Sequence, residues 1–366
     1  MSLLILIGVS IIIYILIRLM PMDYVDRQFQ AQVAQGTVKP EDLDRIKDLY
    51  GLRVRYEVYC DHEKLLELDD AGIFHGIFNF ENWDPALKEA SLTKGQQGLC
   101  AFVSYLEGYG RWLGNALHGD LGQSFKYGDA VVNVISGSMW ISFGITLVAT
   151  ILEFLIAIPL GVQAATHQYG PLDYTVTIVA MMGISLPTFF LGVLLLSLFS
   201  LKLGWFPFQG LETAGRIFES GFERTLDMLH HLILPVVALV ILSIGGLMRY
   251  TRTNMLEVLN ADYIRTARAK GCSEKTVIYR HAFRNTLIPV VTMLAGILPG
   301  MFGGAMITEQ VFSLPGIGNK AYQALTVGDV PFVMGYNMFL AILTVLGTLL
   351  SDLMYAVVDP RVKITK

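Results

Sequence analysis

Residues 260–289 read NADYIRTARAKGCSEKTVIYRHAFRNTLIP. This is the most basic stretch of a chain that is otherwise apolar. Between Arg249 and Arg284 stand eight basic residues (Arg249, Arg252, Arg265, Arg268, Lys270, Lys275, Arg280 and Arg284) against three acids, Glu257, Asp262 and Glu274. Apolar runs flank it at 232–248 and 289–308. Lys and Arg are retained on the cytoplasmic side of a membrane, so a basic loop between two spans is expected to face the cytosol and meet a partner there. The loop also has local order. Residues 257–270 hold no Gly or Pro, and Ala267 and Ala269 favour helix. Gly271 is placed to end that helix. Ser273 then caps a second helix with Glu274 in its first turn, running to about Asn285 before Pro289 opens the next span. The expectation is two short helices around a glycine elbow.

Outward from this loop the apolar runs repeat. The 366 residues are 53% hydrophobic and 16% charged, with mean hydropathy +0.52. That composition belongs to a polytopic membrane protein and not to a soluble domain. Spans are expected at 2–20, 140–165, 174–201, 232–248, 289–308 and 332–358. The fold class is therefore an all-α polytopic membrane protein of six transmembrane helices, with a large external loop between helices 1 and 2. The first span lacks a basic start and a small-residue cleavage site, so it reads as an uncleaved helix and not as a signal peptide. The long loop at 22–138 carries eleven Lys/Arg and eighteen Asp/Glu, whereas the 249–284 loop is net positive, so the overall charge of −4 hides a two-sided distribution. The basic patch is short and sits between spans, which does not suit nucleic acid. Cys60 and Cys100 lie in the acidic loop and Cys272 in the basic one. An external first loop permits a Cys60–Cys100 disulfide, and two unpaired cysteines are the alternative.

Individual residues in the spans have two readings each. Glu153 is a lone acid in a span, which marks either a pathway or a contact with a polar neighbour or second subunit. Pro187 kinks the third span, and Pro235 lies in the fourth. Gly300 and Gly304 form a GxxxG, which permits close helix approach, with Gly303 beside them. Pro187, Pro235, Gly300, Gly303 and Gly304 are the candidates for a gated pathway, and helix packing is the plainer reading of the glycines. His230 and His231 are adjacent, so they cannot share one site on a helix and are read as interfacial and not as metal ligands.

The sequence contains no G-x-x-x-x-G-K-[ST] phosphate loop, no H-E-x-x-H, no C-x-x-C and no G-x-S-x-G. The chain is therefore read as no enzyme, binding no cofactor of its own. Its spans hold few ionisable groups, chiefly Glu153, Asp352 and Arg18, which does not suit an ion-driven carrier. The energy source is expected on a partner, reached through the basic loop.

The string 265–289 resembles the cytoplasmic "EAA" loop of ABC-importer permeases, in the form used by the oligopeptide/dipeptide permeases. Arg265 stands where that motif has its name-giving Glu. Four further strings match in order: G-D-L-G-x-S at 119–124, GISLPTFFLG at 183–192, EQVFSLPGIG at 309–318 and Asp359-Pro360-Arg361 near the end. The resemblance covers about 2–52 and 104–362, and leaves about 53–98 as an unmatched insertion, read as a small cap. It implies a first span at 1–20, an external loop at 21–138, a five-helix permease core at 139–360 with its coupling loop at 249–287, and a cytoplasmic tail at 361–366. It implies a bacterial plasma membrane location with both termini cytoplasmic. It also implies partners: a homologous second permease, two ATPase subunits that hold ATP and Mg, an extracytoplasmic substrate-binding protein and the lipid bilayer. The implied coupling residues are Arg265, Thr266, Ala267 and Gly271, supported by Arg268, Lys270, Arg280, His281, Arg284 and Asn285. The implied cargo is a di- or oligopeptide, with nickel complexes or another small solute as alternatives. From the residues alone, a non-transporting membrane anchor and a self-sufficient carrier stay open.

Overall fold

The computed structural model describes residues 2–18, 106, 108–110 and 112–358. The acidic loop with its insertion, Cys60 and Cys100, and the tail from 359 lie outside the described residues. Among the described residues all regular structure is helical. The helices are α1 (Ser2–Arg18), α2 (Val131–Thr166), α3 (Pro171–Ser185), α4 (Thr188–Leu195), α5 (Gly221–Leu259), α6 (Asp262–Ala269), α7 (Phe283–Gly303), α8 (Met306–Val311), α9 (Ile317–Val327) and α10 (Val330–Val358). π-helical turns extend α4 over Leu196–Lys202 and lead into α7 over Val277–Ala282.

Three described helices, α2, α5 and α10, are each long and apolar enough to cross a membrane. At ~1.5 Å per residue, the 36 residues of α2 reach well beyond a bilayer core of about 30 Å. α3 with α4 and its π-turn makes a fourth crossing if the bent pair is one span. The expected count of six then rests on α1 and α7 as well. α1 contributes a shorter apolar helix. Exposed Ile151 and Leu155 on α2, and Leu346, Leu349 and Leu353 on α10, fit a lipid-facing surface.

Two expectations need correction. The third span is not a kinked rod: α3 and α4 meet at 101°. Leu186 and Pro187 are both extended, with ψ of 129° and 136°, because a residue before proline is pushed out of the helical region and proline lacks an amide hydrogen. The second short helix of the basic loop does not stop before Pro289. It runs on through the π-turn into α7, with Pro289 and Pro299 inside that helix. A proline removes one donor from a membrane helix without ending it when neighbours pack around it. Among the described residues the two glycines of the GxxxG differ: Gly304 meets Ser142 of α2 and Gly318 closely, whereas Gly300 meets no neighbour. A Cβ at Gly300 would meet open space, and Gly304 lies past the end of α7 at φ +78°.

The chain divides into two compact units, 135–323 with 339–366 and 1–134 with 324–338. In the larger unit α5 is the central strut. It packs against α2 and α4 through Ala149, Leu195 and Val240, and against α3 through Ala180 and Leu247. Its close crossings with α2 and α3 use single glycines. A Cβ at Gly183 would come 2.7 Å from the Ile241 carbonyl oxygen, and one at Gly245 would come 2.5 Å from that of Ala180. Gly161 of α2 approaches the Met248 carbonyl in the same way, at 2.7 Å. In the smaller unit Asp329 is fully buried. It accepts from Ser124 Oγ (2.5 Å) and from the amides of Lys126 (3.1 Å) and Phe332 (3.2 Å), which ties the G-D-L-G-x-S turn to the start of α10. Burial, with the Asp329 charge nearby, pushes the Tyr127 phenol up to about 12.

Candidate functional site

The basic loop is an ordered structure packed on the ends of the spans. α6 carries Ile264 and Ala267 one turn apart, and both are buried. They pack with Val162 and Ala165 of α2, Met255 of α5, and Val277 and Ala282 of the following turn. The end of α6 is a complete Schellman motif. Gly271 sits at φ +80°, its amide donates to the Arg268 carbonyl (2.9 Å), and the Cys272 amide donates to that of Ala267 (3.3 Å). Ser273 caps the next turn by accepting from the Thr276 amide at 3.4 Å. Arg268 and Glu274 pair across the elbow at 2.7 Å. Both are exposed, so the pair contributes well under about 1 kcal/mol.

The other face of the loop is open and cationic. Arg265, Thr266, Arg268, Lys270 and Gly271 are exposed, as are Lys275, Arg280 and Arg284. His281 is half-buried, and exposed Asn285 donates to the His281 carbonyl (2.8 Å). The Tyr263 hydroxyl pairs with the Asn285 side chain, while partial burial raises its phenol above the ordinary range. Of the ten sequence-read coupling residues, eight are exposed and His281 is half-buried. Ala267 differs: it faces inward and anchors the helix.

The pathway candidates are spread out. Pro187 stands at the corner between α3 and α4, Pro235 is buried inside α5, and Gly300, Gly303 and Gly304 lie at the far end of α7. Gly192 of α4 lies close to Val311 and Phe312, so the arm beyond the corner rests on the end of α8. Glu153 is half-buried and hydrogen-bonded to Ser243 of α5, the polar neighbour that the sequence left open. His230 and His231 point to different partners, the Trp205 carbonyl (3.0 Å) and the Asp227 carbonyl (2.9 Å).

Two nodes escaped the sequence reading. Glu309, with 1% of its surface exposed, accepts from Ser142 Oγ (2.6 Å) and the Ala305 amide (3.0 Å) on one oxygen. Its other oxygen accepts from the Asn319 amide (2.9 Å), and Ser142 Oγ accepts from the Ile317 amide (2.9 Å). The glycines of EQVFSLPGIG leave room for this carboxylate: a Cβ at Gly304, Gly316 or Gly318 would press on it. The second node is Asp173. It is 4% exposed and takes a bidentate pair from Arg252, Nε to Oδ1 at 2.6 Å and Nη2 to Oδ2 at 2.8 Å. No local signal joins residues so far apart in sequence. This pair places the turn after α2 and the basic loop at one end of the larger unit. At the other end, Gly210 donates to the Phe312 carbonyl (2.9 Å) and Gln209 to that of Val311 (3.1 Å).

Fold and site together define a polytopic helical membrane protein that presents an ordered cationic loop at one end of its spans. Residues 157–364 match the family described as "Binding-protein-dependent transport system inner membrane component". The chain is 41% identical to the oligopeptide transport system permease protein AppB of Bacillus subtilis (strain 168) over 263 residues, 72% of this chain and 80% of that one. It is 35% identical to the dipeptide transport system permease protein DppB of Alkalihalophilus pseudofirmus over 268 residues, 70% of this chain and 80% of that one. Among solved structures, a chain of the MetNI methionine ABC transporter in inward-facing conformations matches with a TM-score of 0.46 and 19% identity, covering 62% of this chain and 96% of that one. The chain belongs to the binding-protein-dependent transport inner-membrane family: it is a permease subunit of an ABC importer.

Proposed function

We propose that this permease forms one of the two membrane-spanning halves of an ATP-driven importer of di- or oligopeptides in the bacterial plasma membrane, with both termini in the cytoplasm. Its partners are a homologous second permease, two ATPase subunits and an extracytoplasmic substrate-binding protein. The ATPase subunits hold ATP and Mg and perform the hydrolysis. The peptide cargo follows the names of the relatives, which are oligopeptide and dipeptide permeases.

One observation supports the coupling role above the others. Ile264 and Ala267 lock α6 onto the ends of α2 and α5, while Arg265, Thr266, Arg268 and Lys270 stay exposed. A helix anchored this way transmits a push instead of absorbing it. In this reading Arg265, Thr266, Arg268, Lys270 and Gly271 meet the ATPase, with Arg280, His281, Arg284 and Asn285 beside them. Ala267 and Ile264 pass the movement to the spans, and the corner at Pro187 moves with the gate.

The test is a mild-detergent pull-down of the tagged chain from its native membrane, followed by ATP-dependent uptake of labelled peptides in proteoliposomes. A second permease, an ATPase pair and peptide uptake are expected. Uptake of a nickel complex or another small solute instead would change the cargo. Recovery of the chain alone, or uptake driven by an ion gradient without ATP, would overturn the reading.

A further inference from the structure

We propose that Asp173 and Arg252 form the strap through which movement of the docked loop reaches the broken span. The proposal rests on the importer reading above and names a transmission element within it. Arg252 lies one turn before Met255, the α5 residue against which Ile264 of the loop packs. Asp173 lies in the first turn of α3, and the opposite end of α3 is the 101° corner at Pro187. The two side chains therefore join the helix that receives the push to the helix that ends at the corner.

The pair is built for rigidity. The guanidinium grips both carboxylate oxygens, at 2.6 and 2.8 Å, and a fork of this kind fixes orientation as well as distance. Asp173 is further held by the Tyr169 amide at 3.1 Å, which is presented by a backbone at φ +62°. Among the described residues this is the one ion pair joining α3 to α5. The rest of that interface is smooth. Gly183 and Gly245 let backbones meet without interlocking side chains, and Ala180 and Leu247 add non-directional packing. A glycine seam lets two helices slide, whereas a bidentate pair at one end obliges them to move together. Removing one partner also leaves a nearly buried charge without its counterion, so the formed pair holds the two helices together.

The experiment uses the full chain with its three cysteines replaced by serine. Spin labels at exposed positions 178 on α3 and 270 after α6 report the distance between the two elements in nanodiscs. The expected result is one narrow distance distribution for the parent. Asp173→Asn and Arg252→Gln should each broaden it to a similar extent, and the double variant should do no more. In the reconstituted complex, uptake per ATP hydrolysed should fall roughly tenfold while hydrolysis itself persists, within the range of coupling energies. Cysteines at 173 and 252 bridged by a short bifunctional thiol reagent should recover coupled uptake. Unchanged distances would overturn the strap. So would equal losses of uptake and hydrolysis, which a purely structural pair would give. If the parent complex shows no ATP-driven uptake, the importer reading fails, and the spin-label distances still decide the strap.

Discussion

Replacing Gly271 tests the elbow at the smallest possible cost to the rest of the molecule. Gly271 holds φ at +80°, yet a Cβ built there would find no atom within 4 Å. A substitution therefore carries no steric clash with its surroundings, and the penalty is confined to the backbone. For an ordinary L-residue the left-handed conformation costs roughly 1–2 kcal/mol, and β-branched residues stand at the upper end. Asn tolerates this region far better. The ordered elbow, with its Gly271-to-Arg268 and Cys272-to-Ala267 bonds, should thus be nearly retained in Gly271→Asn and depopulated by up to about 30-fold in Gly271→Val. Peptide uptake in proteoliposomes should follow the order Gly, Asn, Ala, Val. ATP hydrolysis and membrane insertion should change little, because Ile264 and Ala267 keep their burial. Equal effects of Asn and Val would refute the conformational argument, and full uptake by Gly271→Val would refute a role for the elbow.

Glu309→Gln should lower thermal stability in detergent by about 2–4 kcal/mol, because Ser142 Oγ and the Ala305 and Asn319 amides all donate to the carboxylate and an amide NH2 must face one of them; an unchanged melting temperature would count against the node. Gly161→Ala should cost about 1–3 kcal/mol through its approach to the Met248 carbonyl, whereas Gly300→Ala should leave the melting temperature of the isolated chain unchanged. An impermeant thiol reagent should label Cys272 in inverted vesicles and spare it in intact cells, and labelling from outside would reverse the assigned orientation.

Much of the basic loop is legible in the sequence, and for definite reasons. The loop at 260–289 announces its helix, glycine elbow and serine cap through local chemistry, which acts over four residues and can be read there. The burial of Ala267 follows from its place one turn after Ile264, whereas the motif resemblance named it only as a coupling residue and said nothing of its burial. Pro187 signalled a kink, but the size of a bend depends on what lies beyond it; α4 resting on Val311 and Phe312 holds the corner at 101°. The GxxxG at 300–304 gave spacing alone, and spacing does not say which neighbour is near: Gly304 meets Ser142 and Gly318, while Gly300 meets open space. The crossings of α5 with α2 and α3 use single glycines, Gly161, Gly183 and Gly245, that carry no repeat. Ser142 with Glu309, Ser124 with Asp329, and Asp173 with Arg252 join residues far apart in the chain, and only the fold brings them together.

The central claim is that the exposed face of α6 meets an ATPase. A photo-crosslinking residue placed at 265, 266 or 270 in native membranes tests it most directly, with position 178 on α3 as the control. Adducts with the ATPase subunit are expected from all three loop positions and none from the control. Loop positions that form no adduct, or that capture an extracytoplasmic protein, would contradict it.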